Sequence, residues 1–207
     1  MRKPRSNKFI YSFFSWFITF LVNRDFRHFR FNRVELDADK AILLLSNHFS
    51  WWDGFFLFYL NKVYLKRNFY IMVSEENYRK IWFLKYLGGF SIKRNSKSSL
   101  DTLAFSGNLL NDPNNIVVVF PQGKLYSSYA DQISFEKGVW KIINFSNKTF
   151  QYLFVSIFVE YFESRRPTVT CYLQGDKLTN YDRLEMLKKA YNNHYQTSRQ
   201  QQNCITI

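Results

Sequence analysis

Cysteine is scarce: Cys171 and Cys204 are the only two in 207 residues, too few for a disulfide framework and wrongly placed for a zinc site. That usage points to a reducing compartment. Glycine is scarce as well, with seven residues, and no Gly-rich loop of the kind that cradles phosphates occurs. The N-terminal apolar stretch, Phe9 to Val22, is interrupted by Ser12, Ser15 and Thr19. As a helix it reaches roughly 21 Å at about 1.5 Å per residue, short of the ~30 Å hydrocarbon core of a bilayer. No small-residue cleavage site follows it, which argues against the secretory signal peptide that a basic start would otherwise suggest. Internal repeats are absent.

Acid is also in deficit. Lys and Arg number 29 against 16 Asp and Glu, a formal charge of +13 and a pI near 9.7, which suits either nucleic acid or an anionic membrane surface. Aromatic residues make up 20% of the chain, more than a soluble core requires, and that excess favours the membrane. No helix-turn-helix, zinc or RNA-binding signature supports a nucleic-acid partner. Residues 1–24 are therefore expected to form an interfacial helix, its cationic flanks (Arg2, Lys3, Arg5, Lys8; then Arg24, Arg27, Arg30) held by anionic headgroups. A helix docked on the domain itself is the alternative.

From Phe26 onward, short apolar or alternating runs trade places with helical spacings. Strands are expected at Phe26–Leu36 (an edge), Ala41–Leu45, Phe69–Val73, Phe90–Ile92, Ile116–Phe120, Tyr152–Tyr161 and Thr168–Leu173. Helices are expected at about Trp51–Leu60, Glu76–Leu87, Leu100–Leu110, Phe135–Phe145 and Leu178–Tyr195, with a polar connection over 61–68. The pattern predicts an α/β sandwich: one domain over 25–198 with a mostly parallel central sheet flanked by helices, the N-terminal interfacial helix before it and a flexible tail over 199–207. In such folds ligands gather beyond the carboxyl ends of strands. Three strand ends carry polar groups: Asn47-His48, Lys93-Arg94 and Pro121-Gln122-Gly123-Lys124.

The first of these is the one place where a base and a carboxylate come paired by sequence. His48 and Asp53 flank a strand-to-helix junction. A carboxylate against one imidazole nitrogen leaves the other to take a proton from a hydroxyl. Ser50 and Asp53 also have the spacing of a helix capping box, in which the acid only satisfies backbone N–H groups. Both readings of Asp53 stand at this point.

Taken together, the three junctions resemble the glycerolipid acyltransferases, the family that includes glycerol-3-phosphate and lysophosphatidic acid acyltransferases. The His-x4-Asp motif is matched by Asn47-His48-Phe49-Ser50-Trp51-Trp52-Asp53, and the second block is similar to Gly89-Phe90-Ser91-Ile92-Lys93-Arg94. The third, commonly Phe-Pro-Glu-Gly-Thr-Arg, is similar to Phe120-Pro121-Gln122-Gly123-Lys124-Leu125, and the downstream Phe-x-x-Gly to Phe135-Glu136-Lys137-Gly138. The resemblance implies a membrane-associated enzyme on the cytoplasmic face, in which His48 is the general base and Asp53 orients it. It further implies that Arg94, Gln122, Gly123, Lys124 and Lys93 bind the acceptor, and that acyl-CoA or acyl-carrier protein is co-substrate, with no metal or other cofactor. Backbone N–H groups at the start of the Trp51 helix are expected to serve the oxyanion. Gln122 and Lys124-Leu125 depart from the family pattern: a neutral amide replaces the glutamate, and lysine is a point charge without arginine's bidentate fork. A catalytically weak lipid-binding relative is the alternative, favoured by that altered block.

Overall fold

The computed structural model describes residues 1–93, 98–176 and 181–206. Helix α1 (Lys8–Asp25) and strand β1 (His28–Phe31) precede an alternation of β2 (Ile42–Ser46), α2 (Asp53–Leu60), β3 (Asn68–Ser74), α3 (Glu75–Lys80), β4 (Gly89–Ile92), α4 (Ser98–Leu109), β5 (Asn115–Val119), α5 (Gly138–Asn144) and β6 (Gln151–Glu160). Strand β7 (Thr168–Asp176) and helix α6 (Leu184–Asn203) follow. The strands form one sheet in the order β1-β7-β6-β2-β5-β3-β4. All contiguous pairs are parallel except β6 with β7. This is the expected α/β sandwich, with β1 at an edge.

The continuous apolar runs of β2 and β5 place them at the sheet's centre, because a strand covered on both faces has no polar side to show. All five residues of each are buried. Ile42 and Leu44 join Ile116 and Val118 in the core beneath α1 and α2, whereas Leu43 and Leu45 join Val117 and Val119 in the core shared with α4, α5 and α6. The period of two thus divides one sheet between two helical layers. β2 and β5 pair in parallel with Leu45 opposite Val119, so the two chains leave the sheet side by side and in step.

Several boundaries differ from the sequence reading. The stretch expected as a polar connection opens with a π-helical turn over Asn61–Leu65, and buried Asn61 clamps the loop by exchanging hydrogen bonds with the Arg67 main chain. The helix expected over 76–87 splits into α3 and a 3-10 turn, Trp82–Tyr86. Gly88 then turns the chain at φ +86°, where a Cβ would lie 1.8 Å from the Phe69 carbonyl oxygen; only glycine fits.

The flexible tail expected over 199–207 is corrected for its first five residues, since α6 runs unbroken to Asn203. Its polarity hid a burying stripe. Tyr191, Tyr195, Ser198 and Gln202 recur at helical spacing and are buried. Their polar atoms are paired: Gln202 donates to Glu160 at 2.7 Å and accepts from the Tyr172 hydroxyl at 3.1 Å, and the Tyr191 hydroxyl donates to the Val155 carbonyl.

His194 lies in the same stripe, 6% exposed, with its Nε2–H directed at the Tyr172 carbonyl at 3.1 Å. Burial holds its pKa down at about 4. A group whose folded pKa lies below its unfolded value stabilises the fold at neutral pH, and that stability is lost as pH falls from about 6.5 to 4. The loss is expected to reach on the order of 3 kcal/mol, at about 1.4 kcal/mol per tenfold. Thermal melts at pH 7 and pH 4.5 check it: His194→Gln should flatten the difference.

Helix α1 docks by one face and leaves another open. Ser15, Ile18 and Val22 are buried, and Phe14 stacks on Phe83 at 4.1 Å. Phe9, Phe13, Trp16 and Phe20, spaced along the other side, are all exposed, Phe9 by 89%. No helix among the described residues is long and apolar enough to cross a membrane.

Candidate active site

The parallel register explains why two distant motifs meet. His48 and Gln122 stand at equal distances past the matched pair Leu45 and Val119, and the His48 main-chain N–H donates to Gln122 Oε1 at 2.6 Å. Asn47, the neighbour of His48, is fully buried and exchanges two hydrogen bonds with the main chain of Ile157. Its role is to anchor the end of β2 to β6.

His48 leaves this anchored end with its ring set on two sides. Nδ1 lies 3.0 Å from Asp53 Oδ2, and the ring stacks on Phe120 with centroids 4.0 Å apart and planes 11° from parallel. The Asp53 carboxylate, 2% exposed, accepts from the imidazole through an oxygen that also accepts the N–H groups of Phe49 at 2.7 Å and Ser50 at 2.8 Å. A proton on Nδ1 satisfies the carboxylate and leaves the Nε2 lone pair outward. No group among the described residues hydrogen-bonds to Nε2.

Asp53 therefore does both things the sequence left open. It gathers the backbone N–H groups that precede α2, as a capping acid does, and it meets the imidazole. The Ser50 hydroxyl accepts the Trp52 N–H at 3.2 Å, a local cap. The oxyanion expectation is corrected in part: the N–H groups of Phe49, Ser50, Trp52 and Asp53 are already engaged by Asp53 Oδ2, Ser50 Oγ or the Ser50 carbonyl.

Of the remaining expected residues, Gly123 makes the turn that ends β5, at φ +66° with its N–H on the Phe120 carbonyl at 3.0 Å. Lys124 sits with Nζ 5.2 Å from the Tyr126 ring centroid. Lys93 leaves β4, two strands from β5 in the sheet and about 10 Å away at ~4.8 Å per strand. Its charge lies near Glu75, whose carboxyl is held below its ordinary value first by the Arg79 hydrogen bond, with Lys93 and Arg2 adding to it. Arg94 lies outside the described residues. Two contacts were missed by sequence reasoning. Phe120 stood in a quoted motif without a role, and Tyr126 acts through a main-chain N–H, donated to the His48 carbonyl at 3.1 Å, for which no side-chain signal exists.

Among the described residues, no thiol or hydroxyl is hydrogen-bonded to the His48 imidazole. Cys171 is wholly buried, and desolvation, with the Asp53 charge behind it, pushes its thiol pKa up; such a thiol is inert. A base with an outward lone pair, an orienting carboxylate and no attached nucleophile suits proton abstraction from a bound substrate. The parallel-sheet sandwich carries that pair just beyond the end of β2, beside β5. A family model described as Acyltransferase matches residues 16–160, and the chain belongs to the acyltransferase family. Among solved structures, the 1-acyl-sn-glycerophosphate (LPA) acyltransferase PlsC from Thermotoga maritima has the same fold, with a TM-score of 0.67 at 16% identity over 97% of this chain and 82% of that one. No curated protein matches the chain.

Proposed function

We propose that the protein moves a fatty acyl group from an acyl thioester to a hydroxyl of a membrane lipid. The observation that carries this reading is the His48–Asp53 pair at 3.0 Å, with no described residue hydrogen-bonded to Nε2. His48 Nε2 takes the proton of the acceptor hydroxyl as its oxygen attacks the thioester carbonyl. The C–S bond then breaks, and the departing thiolate, of coenzyme A or acyl-carrier protein, receives the proton from the imidazolium that Asp53 has stabilised. The acceptor is bound beside Gln122, Gly123 and Lys124, and Lys93 and Arg94 are the further cations assigned to its headgroup. The Gln122 amide nitrogen is buried with no hydrogen-bond partner among the described residues, and an acceptor oxygen that reaches it would satisfy this donor.

The exposed aromatic row on α1 supports an interfacial seat on a membrane surface. A docked helix that still presents Phe9, Phe13, Trp16 and Phe20, with arginines and lysines at both ends, suits headgroup depth and anionic lipid. The PlsC neighbour bears the name of a lysophosphatidate acyltransferase, which makes a lysolipid the first acceptor to try. Gln122 and Lys124-Leu125, where the family motif has glutamate and Thr-Arg, lack arginine's bidentate fork for a phosphate and so favour an acceptor without one. They also favour the second reading, a lipid-binding relative with little turnover.

The test is to incubate the protein with anionic vesicles, labelled acyl-CoA or acyl-carrier protein, and a panel of lysophospholipid, glycolipid and aminolipid acceptors. Label transferred to one acceptor class supports the enzyme reading. Vesicle and acceptor binding without transfer supports the second.

A further inference from the structure

Three residues of one short segment, each through a different chemistry, take hold of a different part of His48. Gln122 accepts its main-chain N–H at 2.6 Å. Tyr126 donates its own N–H to the His48 carbonyl at 3.1 Å. Phe120 lies flat against the imidazole at 4.0 Å. His48 needs such holding, because the β2 strand ends at Ser46 and α2 starts only at Asp53, so no regular ladder fixes the backbone between them. The Gln122 side chain, itself 1% exposed, continues the pairing of β2 with β5 past the point where the main chains part.

We propose that Gln122 is a positioning residue for the base: its amide oxygen fixes the main chain from which the imidazole meets Asp53, and Phe120 and Tyr126 complete the clamp. A glutamate at this position keeps an accepting oxygen and can hold the same N–H, whereas an aliphatic side chain cannot. The hold is thus separable from what the amide nitrogen offers a substrate. Its importance follows from geometry, since a displacement near 1 Å between base and substrate costs about 100-fold in rate. The rate consequence rests on the acyl-transfer reading, but the placement of the imidazole does not.

The experiment compares Gln122→Met, which fills similar space with only a weak thioether acceptor, with Gln122→Glu, in the full chain labelled with 15N-histidine. The sequence has three histidines, so His28→Gln and His194→Gln assign the spectra. The wild-type His48 signal should report a single tautomer with Nδ1 protonated. In Gln122→Met that signature should give way to mixed tautomers, and kcat should fall about 10- to 100-fold. Gln122→Glu should restore the signature and bring kcat to within about threefold of wild type while KM rises, since only the amide donor is gone. If Gln122→Met does not fold, Gln122→Asn, whose shorter arm withdraws the oxygen from the His48 N–H, takes its place. An unchanged His48 signature in Gln122→Met, or a kcat for Gln122→Glu as low as that of Gln122→Met, overturns the clamp. If no acceptor turns over in wild type, the acyl-transfer reading fails, and the imidazole spectra still decide the positioning role.

Discussion

His48→Ala should cost about 10² to 10⁴ in acyl-transfer rate, the range for loss of a general base, with the fold intact. The expectation of an intact fold is specific. The two main-chain bonds that seat the residue, N–H to Gln122 and C=O to Tyr126, survive truncation to alanine, and the side chain is one-fifth exposed. Only the Phe120 stack and one of the donors on Asp53 Oδ2 are lost. The destabilisation should stay near 1 kcal/mol, the centre of the range for point substitutions. His48→Gln is the companion variant, able to hydrogen-bond Asp53 but not to accept a proton near neutral pH, and it should be as slow as His48→Ala. Initial rates with a saturating acyl thioester, beside thermal melts of each variant, check both halves. A His48→Ala protein that melts far below wild type would show the imidazole to be a structural prop.

The central strands were legible because burial on both faces leaves uninterrupted apolar runs such as Ile116 to Val119, and a run bounded by turn residues admits few alternatives. The strand order followed less directly. That β2 and β5 are neighbours in register is a long-range fact, and the meeting of His48 with Gln122 follows from it alone. The motif order hinted at the encounter without supplying the bond, which runs from a main-chain N–H that any residue would carry. Main-chain contacts are silent in sequence, and Tyr126 is the plainest case.

Elsewhere polarity misled. Gln202 read as part of a flexible tail, because glutamine is mostly exposed, yet it is buried with hydrogen-bond partners from β6 and β7. A polar side chain inside is paid for by partners that sit far away in sequence, and no local periodicity reveals them. The reverse held for α1. Its aromatic excess fitted both an interfacial helix and a docked one, and the structure gives it a packed face and an open aromatic face at once.

Asp53→Asn is expected to lose both activity and stability, and the proportion between them separates the two roles that one carboxylate combines. Three donors converge on Oδ2: the imidazole Nδ1–H, the Phe49 N–H and the Ser50 N–H. An asparagine that keeps its oxygen there offers a neutral acceptor, and charge-assisted bonds are roughly twice as strong as neutral ones, so a stability loss of about 1 to 3 kcal/mol follows. One that turns its NH2 toward the ring donates to Nδ1 and forces the proton onto Nε2, removing the lone pair needed to accept the hydroxyl proton. The rate should then fall by about 10² to 10⁴. Ser50→Ala is the control, because its hydroxyl caps only the Trp52 N–H: it should lower stability by about 0.5 to 2 kcal/mol and leave turnover nearly intact. If Asp53→Asn matches Ser50→Ala in both measurements, Asp53 is a cap and the imidazole works without it. If the rate collapses while the melt shifts by only a few degrees, the same oxygen that ties the loop also sets the tautomer of the base.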